Sequence, residues 1–432
     1  MRRSPFRPAA AVVVTVAALA AAAASAAPEW PQWRGPARDD VARESGLLEK
    51  WPEGGPPLAW KTSGLGGGFS SVAISGGRIY TLGDRGGSQQ VLALNLADGK
   101  LVWSARLGPV WADEYGGPRG TPAVDGERVC ALGTEADLAC FDAATGKELW
   151  RKNLERDYGG RMMSMWKWSE SPLLDGDRLI VTPGAPGAAL VALDKRTGKE
   201  IWRAAAPRLG DQGGDGAAYS SAVISSGGGV KQYVQLTGRG LVSVRAADGK
   251  FLWGYNKVAN DTANIPTPIV TGNHVFASTG YGTGSVLLEL AKAGDGVQAK
   301  EVYYLPGKTL QNHHGGLVLI GEHVYGGHGH NRGYPVSVEL ATGKIAWGGE
   351  GVDMSHGGTG SAAVTAADGH LYFRYQNGRM VLIEATPSGL RVKGAFSIPG
   401  VEHPSWSHPV VAGGKLYLRE QDTLYVYDVK GA

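Results

Sequence analysis

One phrase, a tight turn followed by an aromatic residue, recurs along this chain. It reads Asp98-Gly99-Lys100 before Trp103, Thr145-Gly146-Lys147 before Trp150 and Thr197-Gly198-Lys199 before Trp202. It returns as Asp248-Gly249-Lys250 before Trp253 and Thr342-Gly343-Lys344 before Trp347. The first four tryptophans stand roughly 50 residues apart, a period typical of repeat architectures. A whole unit is clearest around the second copy: Thr121–Gly126, Arg128–Gly133, Leu138–Asp142 and Leu149-Trp150. Each apolar run is short, β-rich and bounded by Gly or Asp, so a unit reads as four antiparallel strands. The turn glycine supplies a left-handed backbone, and the Asp or Thr ahead of it can hydrogen-bond the turn. Tryptophan on the outer strand is then expected to pack between neighbouring units, with one N–H to satisfy. Glycine, 67 of 432 residues, is about twice as common as usual. Many hairpins explain this better than disorder, because the strands persist throughout.

Weaker copies run from Pro266 to Tyr304, from Gly360 to Phe396 and from Ser407 to Tyr427. Units therefore start near Ser70, Thr121, Ser171, Ser220, Pro266, Gly315, Gly360 and Ser407. The last copy stops after three strands at Asp428, and its missing outer strand is available in Pro57–Lys61. An N-terminal strand completing the last unit closes a ring and leaves no open sheet edge. The expectation is an all-β, eight-bladed β-propeller of four-stranded antiparallel blades over 57–432, after a lead-in segment over 27–56.

Arg2, Arg3 and Arg7 precede an Ala/Val run from Ala9 to Ala24 and the pattern Ala24-Ser25-Ala26. This predicts a secretory signal over 1–26, too short to span a bilayer, and a periplasmic or extracellular protein. Those three arginines account for the whole excess of 43 basic over 40 acidic residues. The remainder is near neutral, which excludes the electrostatic footprint of a nucleic-acid binder. Cys130 and Cys140 flank a predicted turn, as a cross-strand disulfide or as two buried thiols in neighbouring strands. Either role is structural.

Ala192-Leu-Asp194 with Thr197-Gly-Lys199 and Trp202, and Cys140-Phe-Asp142 through Trp150, resemble the signature of the quinoprotein-type (PQQ-like) repeat. The opening Trp30-Pro-Gln-Trp33-Arg-Gly-Pro36 resembles the lead-in of secreted bacterial members. Two branches of that family imply two functions. One resembles the periplasmic propeller of the outer-membrane barrel-assembly machinery, a non-catalytic scaffold. The other resembles the quinone-dependent alcohol dehydrogenases, which hold pyrroloquinoline quinone (PQQ) with Ca²⁺ on Glu, Asn and Asp ligands. The dehydrogenases carry an adjacent cysteine pair over the quinone, whereas the cysteines here are ten positions apart. Their ligand set has no counterpart in this sequence. The lipid-attachment cysteine of the scaffold branch is also missing.

In a four-stranded blade the inter-blade links and the second-to-third strand turns share the face around the channel mouth. Two sets of residues collect there. His313, His314, His328, His330, His356, His403 and His408 form the first. Of these, His313, His328, His330 and His356 are the candidate ligands for Zn²⁺ or Cu²⁺, unless they satisfy backbone groups in glycine-rich loops. The second set holds Trp111, Tyr115 and Arg119 before the second blade, and the stretch from Tyr158 to Trp168 before the third. Arg119, Arg161, Trp166 and Trp168 are its candidate binding residues, because Trp and Arg dominate recognition surfaces, unless these side chains plug the channel or pack over the blades. Arg119, Arg161 and Lys167 suit an anionic ligand such as a quinone tricarboxylate. No Gly-x-Ser-x-Gly elbow or phosphate loop appears. The expected role is binding a partner protein or small ligand on the mouth face; the alternative is a quinone- or metal-dependent oxidoreductase using the same face.

Overall fold

The computed structural model describes residues 28–431. The predicted signal lies outside them. Eight sheets succeed one another along the chain, and seven are built from four consecutive antiparallel strands. We number the blades 1 to 8 by their inner-to-outer strands: 73–109, 123–153, 173–204, 223–255, 269–306, 317–348, 362–397 and 410–428. Blade 8 takes its outer strand, Leu58–Thr62, from the N-terminal side, paired antiparallel with Thr423–Asp428. The expected ring closure is therefore present. Among the described residues no helix is long and apolar enough to cross a membrane.

The recurrent phrase is the joint between blades. Trp103 of blade 1 donates its indole N–H to the Ala143 carbonyl of blade 2 at 3.0 Å. Trp150 donates to Lys195 O at 2.9 Å, Trp202 to Ala246 O at 3.1 Å and Trp347 to Thr386 O at 2.7 Å. Each of the first three rings lies against the turn glycine of the next blade: Gly146, Gly198 and Gly249. These glycines have φ of 73°, 69° and 74°. In blade 5 Tyr303 takes the tryptophan's place, against Gly343 and bonded to Leu340 O at 2.8 Å. Trp253 is the exception and bonds Gln232 of its own blade at 2.7 Å. Blade 5 offers it no such turn, because its outer hairpin runs on through Gly284–Ala293 and Gly296–Pro306. At the seam Trp60, on the borrowed strand, packs against Gly99 of blade 1.

The lead-in segment has a role that the repeats did not reveal. It crosses the central channel and bonds to blade after blade. Trp30 exchanges backbone hydrogen bonds with Ile74, and Pro31 O accepts from Val124 N. Arg38 donates to Ser171 O and Pro172 O, Trp33 to Thr267 Oγ1, and Arg34 to Leu317 O. Val41–Ala42 then adds a short parallel strand beside Ala366 and Ala367 of blade 7. Arg34, Arg38 and Asp40 all adopt left-handed backbone, with φ of 62°, 56° and 61°. Such residues cost on the order of 1 kcal/mol or more each and persist only where the surroundings hold them.

Cys130 and Cys140 face each other in paired strands of blade 2 and form a disulfide, both fully buried. Replacing both by Ala is expected to lower stability by about 2–3 kcal/mol, read from urea unfolding under oxidising conditions. The turn glycines give a sharper test. Gly198 and Gly176 are both left-handed, but a Cβ at Gly198 would lie 2.7 Å from the Trp150 ring, whereas one at Gly176 would meet nothing within 4 Å. Gly198→Ala should therefore destabilise by about 1 kcal/mol or more beyond Gly176→Ala.

Candidate functional site

Above the lead-in segment the channel opens into a funnel of about 380 Å³. Trp33, Arg34 and His408 form its floor. Trp33 packs on the His408 ring, with centroids 4.4 Å apart. The indole N–H of Trp33 is held by Thr267 Oγ1 at 3.0 Å. The walls are largely aromatic. Trp406 sits within 4.9 Å of Phe69, 5.3 Å of Tyr115 and 4.8 Å of His314, centroid to centroid. Trp166 meets Tyr219 edge-on at 5.9 Å. A single helical turn, Leu154–Tyr158, launches the link that carries Trp166 to the mouth. It is capped by Asn153 Oδ1, which accepts from Arg156 N, and is ended by left-handed Gly159.

Three histidines stack along one wall. His313 lies 4.2 Å from His314 and 4.3 Å from His330. Its Nδ1 is 2.8 Å from Ser361 Oγ and its Nε2 is 3.0 Å from Tyr281 OH. Burial, reinforced by His330, pushes the His313 pKa down to about 3. Burial also lowers His314 well below its usual value, and the neighbouring histidines and Arg119 add to this. His330 is lowered by burial. These rings are therefore neutral at pH 7. His314 Nε2 and His330 Nδ1 are buried and have no hydrogen-bond partner among the described residues. Tyr281 and Asn331 reach the funnel from strand-connecting turns in left-handed conformation, with φ of 57° and 52°.

The two arginines of the funnel differ in what faces them. Arg34 has Asp40 at 3.5 Å, and Asp40 also holds His408 Nδ1 at 3.0 Å. Arg119 has only carbonyls, donating to Trp166 O at 3.0 Å and to Tyr115 O. Its guanidinium lies over the Trp111 ring at 4.7 Å. Burial lowers the Arg119 pKa to about 10, which leaves it charged at pH 7. Among the described residues no Asp or Glu lines the funnel.

Of the residues singled out in the sequence, Arg119, Trp166, His313 and His330 meet here, with His314 and His408. Trp168 does not. It is buried in the core between blades 2 and 3, packed with Leu154 and Tyr158, because the link turns inward after Trp166. Arg161 lines a separate cleft and pairs with Asp215 at 3.1 Å, while Lys167 pairs with Glu135 at 2.9 Å. His328 lies buried outside the funnel, its Nδ1 3.3 Å from Gln311 N, and His356 and His403 are exposed. Among the described residues no three His, Cys, Asp or Glu side chains are arranged to hold a metal ion. The four candidate ligands thus do not converge. With only the Asn331 and Gln376 amides and no carboxylate in the lining, the donor set does not fit a Ca²⁺-held quinone.

Trp33, Arg34, Tyr219, Tyr281 and Trp406 were missed as site residues. A signal existed for Tyr281, which follows the second strand of blade 5 as His330 does in blade 6. The neutral histidines predict a pH effect. A base whose pKa is lowered by folding contributes stability above its unfolded pKa, and this is lost as pH falls towards the folded value. Between pH 6.5 and about 3, His313 should remove up to about 1.4 kcal/mol per pH unit. His313→Gln should flatten that slope in urea unfolding across the same range.

Comparison with known proteins agrees with this architecture. A family model described as outer membrane protein assembly factor BamB matches residues 88–349, more than half of the chain. BamB of Burkholderia pseudomallei (strain K96243) is 26% identical over 138 residues, 31% of this chain and 32% of that protein. Quinohemoprotein alcohol dehydrogenase ADH IIB of Pseudomonas putida is 29% identical over 238 residues, 48% of this chain and 31% of that protein. The chain thus spans about a third of the length of each of these relatives. The crystal structure of BamB from Moraxella catarrhalis superposes with TM-score 0.60 at 14% identity, covering 87% of this chain and 98% of that one. Quinohemoprotein alcohol dehydrogenase from Comamonas testosteroni gives TM-score 0.62 at 14% identity, covering 94% and 81%. At that identity the structural likeness speaks for the fold alone. The extent of the family match decides the family: this chain belongs to the PQQ-like propeller family described as outer membrane protein assembly factor BamB.

Proposed function

We propose that this protein is an exported, non-catalytic propeller that binds a small organic ligand in the channel-mouth funnel. The observation that carries the reading is the floor. Trp33 and Arg34, held by Thr267 and Leu317, line the pocket together with its aromatic walls, so the lead-in segment forms part of the site. Its volume falls within the range of small-molecule sites, and its mixture of aromatic walls with a few polar groups is the usual composition of one. Export is read from the Ala24-Ser25-Ala26 pattern and accords with the family.

The alternative oxidoreductase reading draws on the dehydrogenase relatives. It lacks carboxylates in the lining, and we derive no redox step from these residues. A second binding reading rests on the rim, where Met165 is 67% exposed beside Trp166. A partner protein docking there would cover the funnel.

The test is a tryptophan-fluorescence screen of planar aromatic compounds against the purified protein. A compound seated in the funnel should lose about tenfold or more in affinity in Trp406→Ala, which removes stacking area. Met165→Ala at the rim should leave that affinity unchanged. If Trp406→Ala binds every hit as the wild type does, the funnel is not the site. Reversed sensitivity, with Met165→Ala weakening binding, would favour the rim.

A further inference from the structure

We propose that Arg119 and His314 form a seat for one oxyanion of the ligand, so that the funnel selects aromatic acids over their neutral counterparts. The inference rests on the ligand-binding reading above and adds the chemical class of the ligand.

The argument begins with an unbalanced charge. Arg119 is half-buried at the residue level, its charged end is desolvated, and no carboxylate pairs with it among the described residues. The other arginine lining the funnel is balanced by a carboxylate. Arg34 has Asp40, and Arg374, deep between blades 7 and 8, has Glu420 at 2.7 Å. A desolvated cation without a counter-charge is costly, and the cost is relieved when an anion arrives. Two carbonyls and the faces of Trp111 and Phe69 hold the guanidinium in place without neutralising it.

The second observation is independent of that charge. His314 Nε2 is buried, points to no protein partner and belongs to a ring that lines the funnel. A buried polar atom with no partner is uncommon and calls for an explanation. A neutral imidazole whose Nε2 carries the proton donates one hydrogen bond there, and an oxyanion would accept it. The remaining groups around the seat are His313, His330, His408 with its partner Asp40, and the Tyr219 and Tyr281 hydroxyls. Two acids bear on this set: Asp40, which Arg34 and His408 already engage, and the exposed Asp113, which acts on Arg119 through space without forming an ion pair with it. Among the described residues no carboxylate forms an ion pair with Arg119. Trp406, edge-on to His314, provides the apolar surface on which an aromatic body attached to the acid would lie.

The experiment compares two isosteres, 2-naphthoate and 2-naphthamide, at pH 7.5 by tryptophan fluorescence and calorimetry. The wild type should bind the acid about tenfold or more tightly, since the amide carries no charge and so loses the ion pair with Arg119. Arg119→Gln should bring the two affinities together by weakening the acid and leaving the amide unchanged. His314→Phe, which keeps the ring and removes the donor, should narrow the preference without abolishing it. Should Arg119→Gln fail to fold, the wild-type comparison and His314→Phe still decide. Equal wild-type affinities would overturn the oxyanion seat while leaving the funnel as a binding site. A preference that survives both substitutions would also overturn it, by placing the anion elsewhere. If neither compound binds but neutral aromatics from the wider screen do, the seat falls alone. If no aromatic binds, the funnel reading falls with it.

Discussion

Five of the eight joints in this ring seat an aromatic side chain of one blade on a bare glycine of the next. The indole needs a flat surface and a carbonyl within reach. The left-handed turn of the following blade provides both, because it has no side chain and its neighbouring carbonyl points outward. One short phrase therefore carries both halves of a joint, the socket in its glycine and the plug a few residues later. A chain of such joints makes an arc, and an arc leaves two raw sheet edges. The borrowed strand with Trp60 turns the arc into a ring by repeating the same contact across the seam.

The lead-in segment ties the ring at its centre. Its bonds reach blades 1, 2, 3, 5, 6, 7 and 8, and three of its residues are held in left-handed backbone that only a dense set of contacts would maintain. The same residues floor the funnel. Strain in the segment and shape in the pocket are thus two aspects of one arrangement, and His408 of the floor is fixed to the segment through Asp40.

The architecture was legible because it is written locally and many times over. Asp98-Gly99-Lys100 and its four fellows announce the turns, and Pro57–Lys61 supplies the missing strand within one residue of its observed position. The site was legible only in part. Arg119, Trp166, His313 and His330 could be placed on the mouth face because strand order alone decides which loops lie there. Whether a loop side chain turns inward or outward depends on packing between blades, which no single repeat encodes. Trp168 therefore sank into the core although Trp166 did not, and His328 fell behind the funnel although His330 lines it. The floor was invisible for a related reason. Trp33 meets Thr267 and Asp40 meets His408 across 234 and 368 positions of chain, far beyond the reach of any periodic pattern.

Those long spans also set an order of assembly. Blades 1 to 7 each close within their own stretch of sequence and can take shape as the chain emerges. The floor and the seam cannot be completed so early, because Asp40 and Leu58–Thr62 must wait for partners near the other terminus. Loop closure over such distances is slow compared with hairpin formation. The funnel draws its lining from Trp33 to His408, so a ligand that fills it bears on both ends of the ring at once.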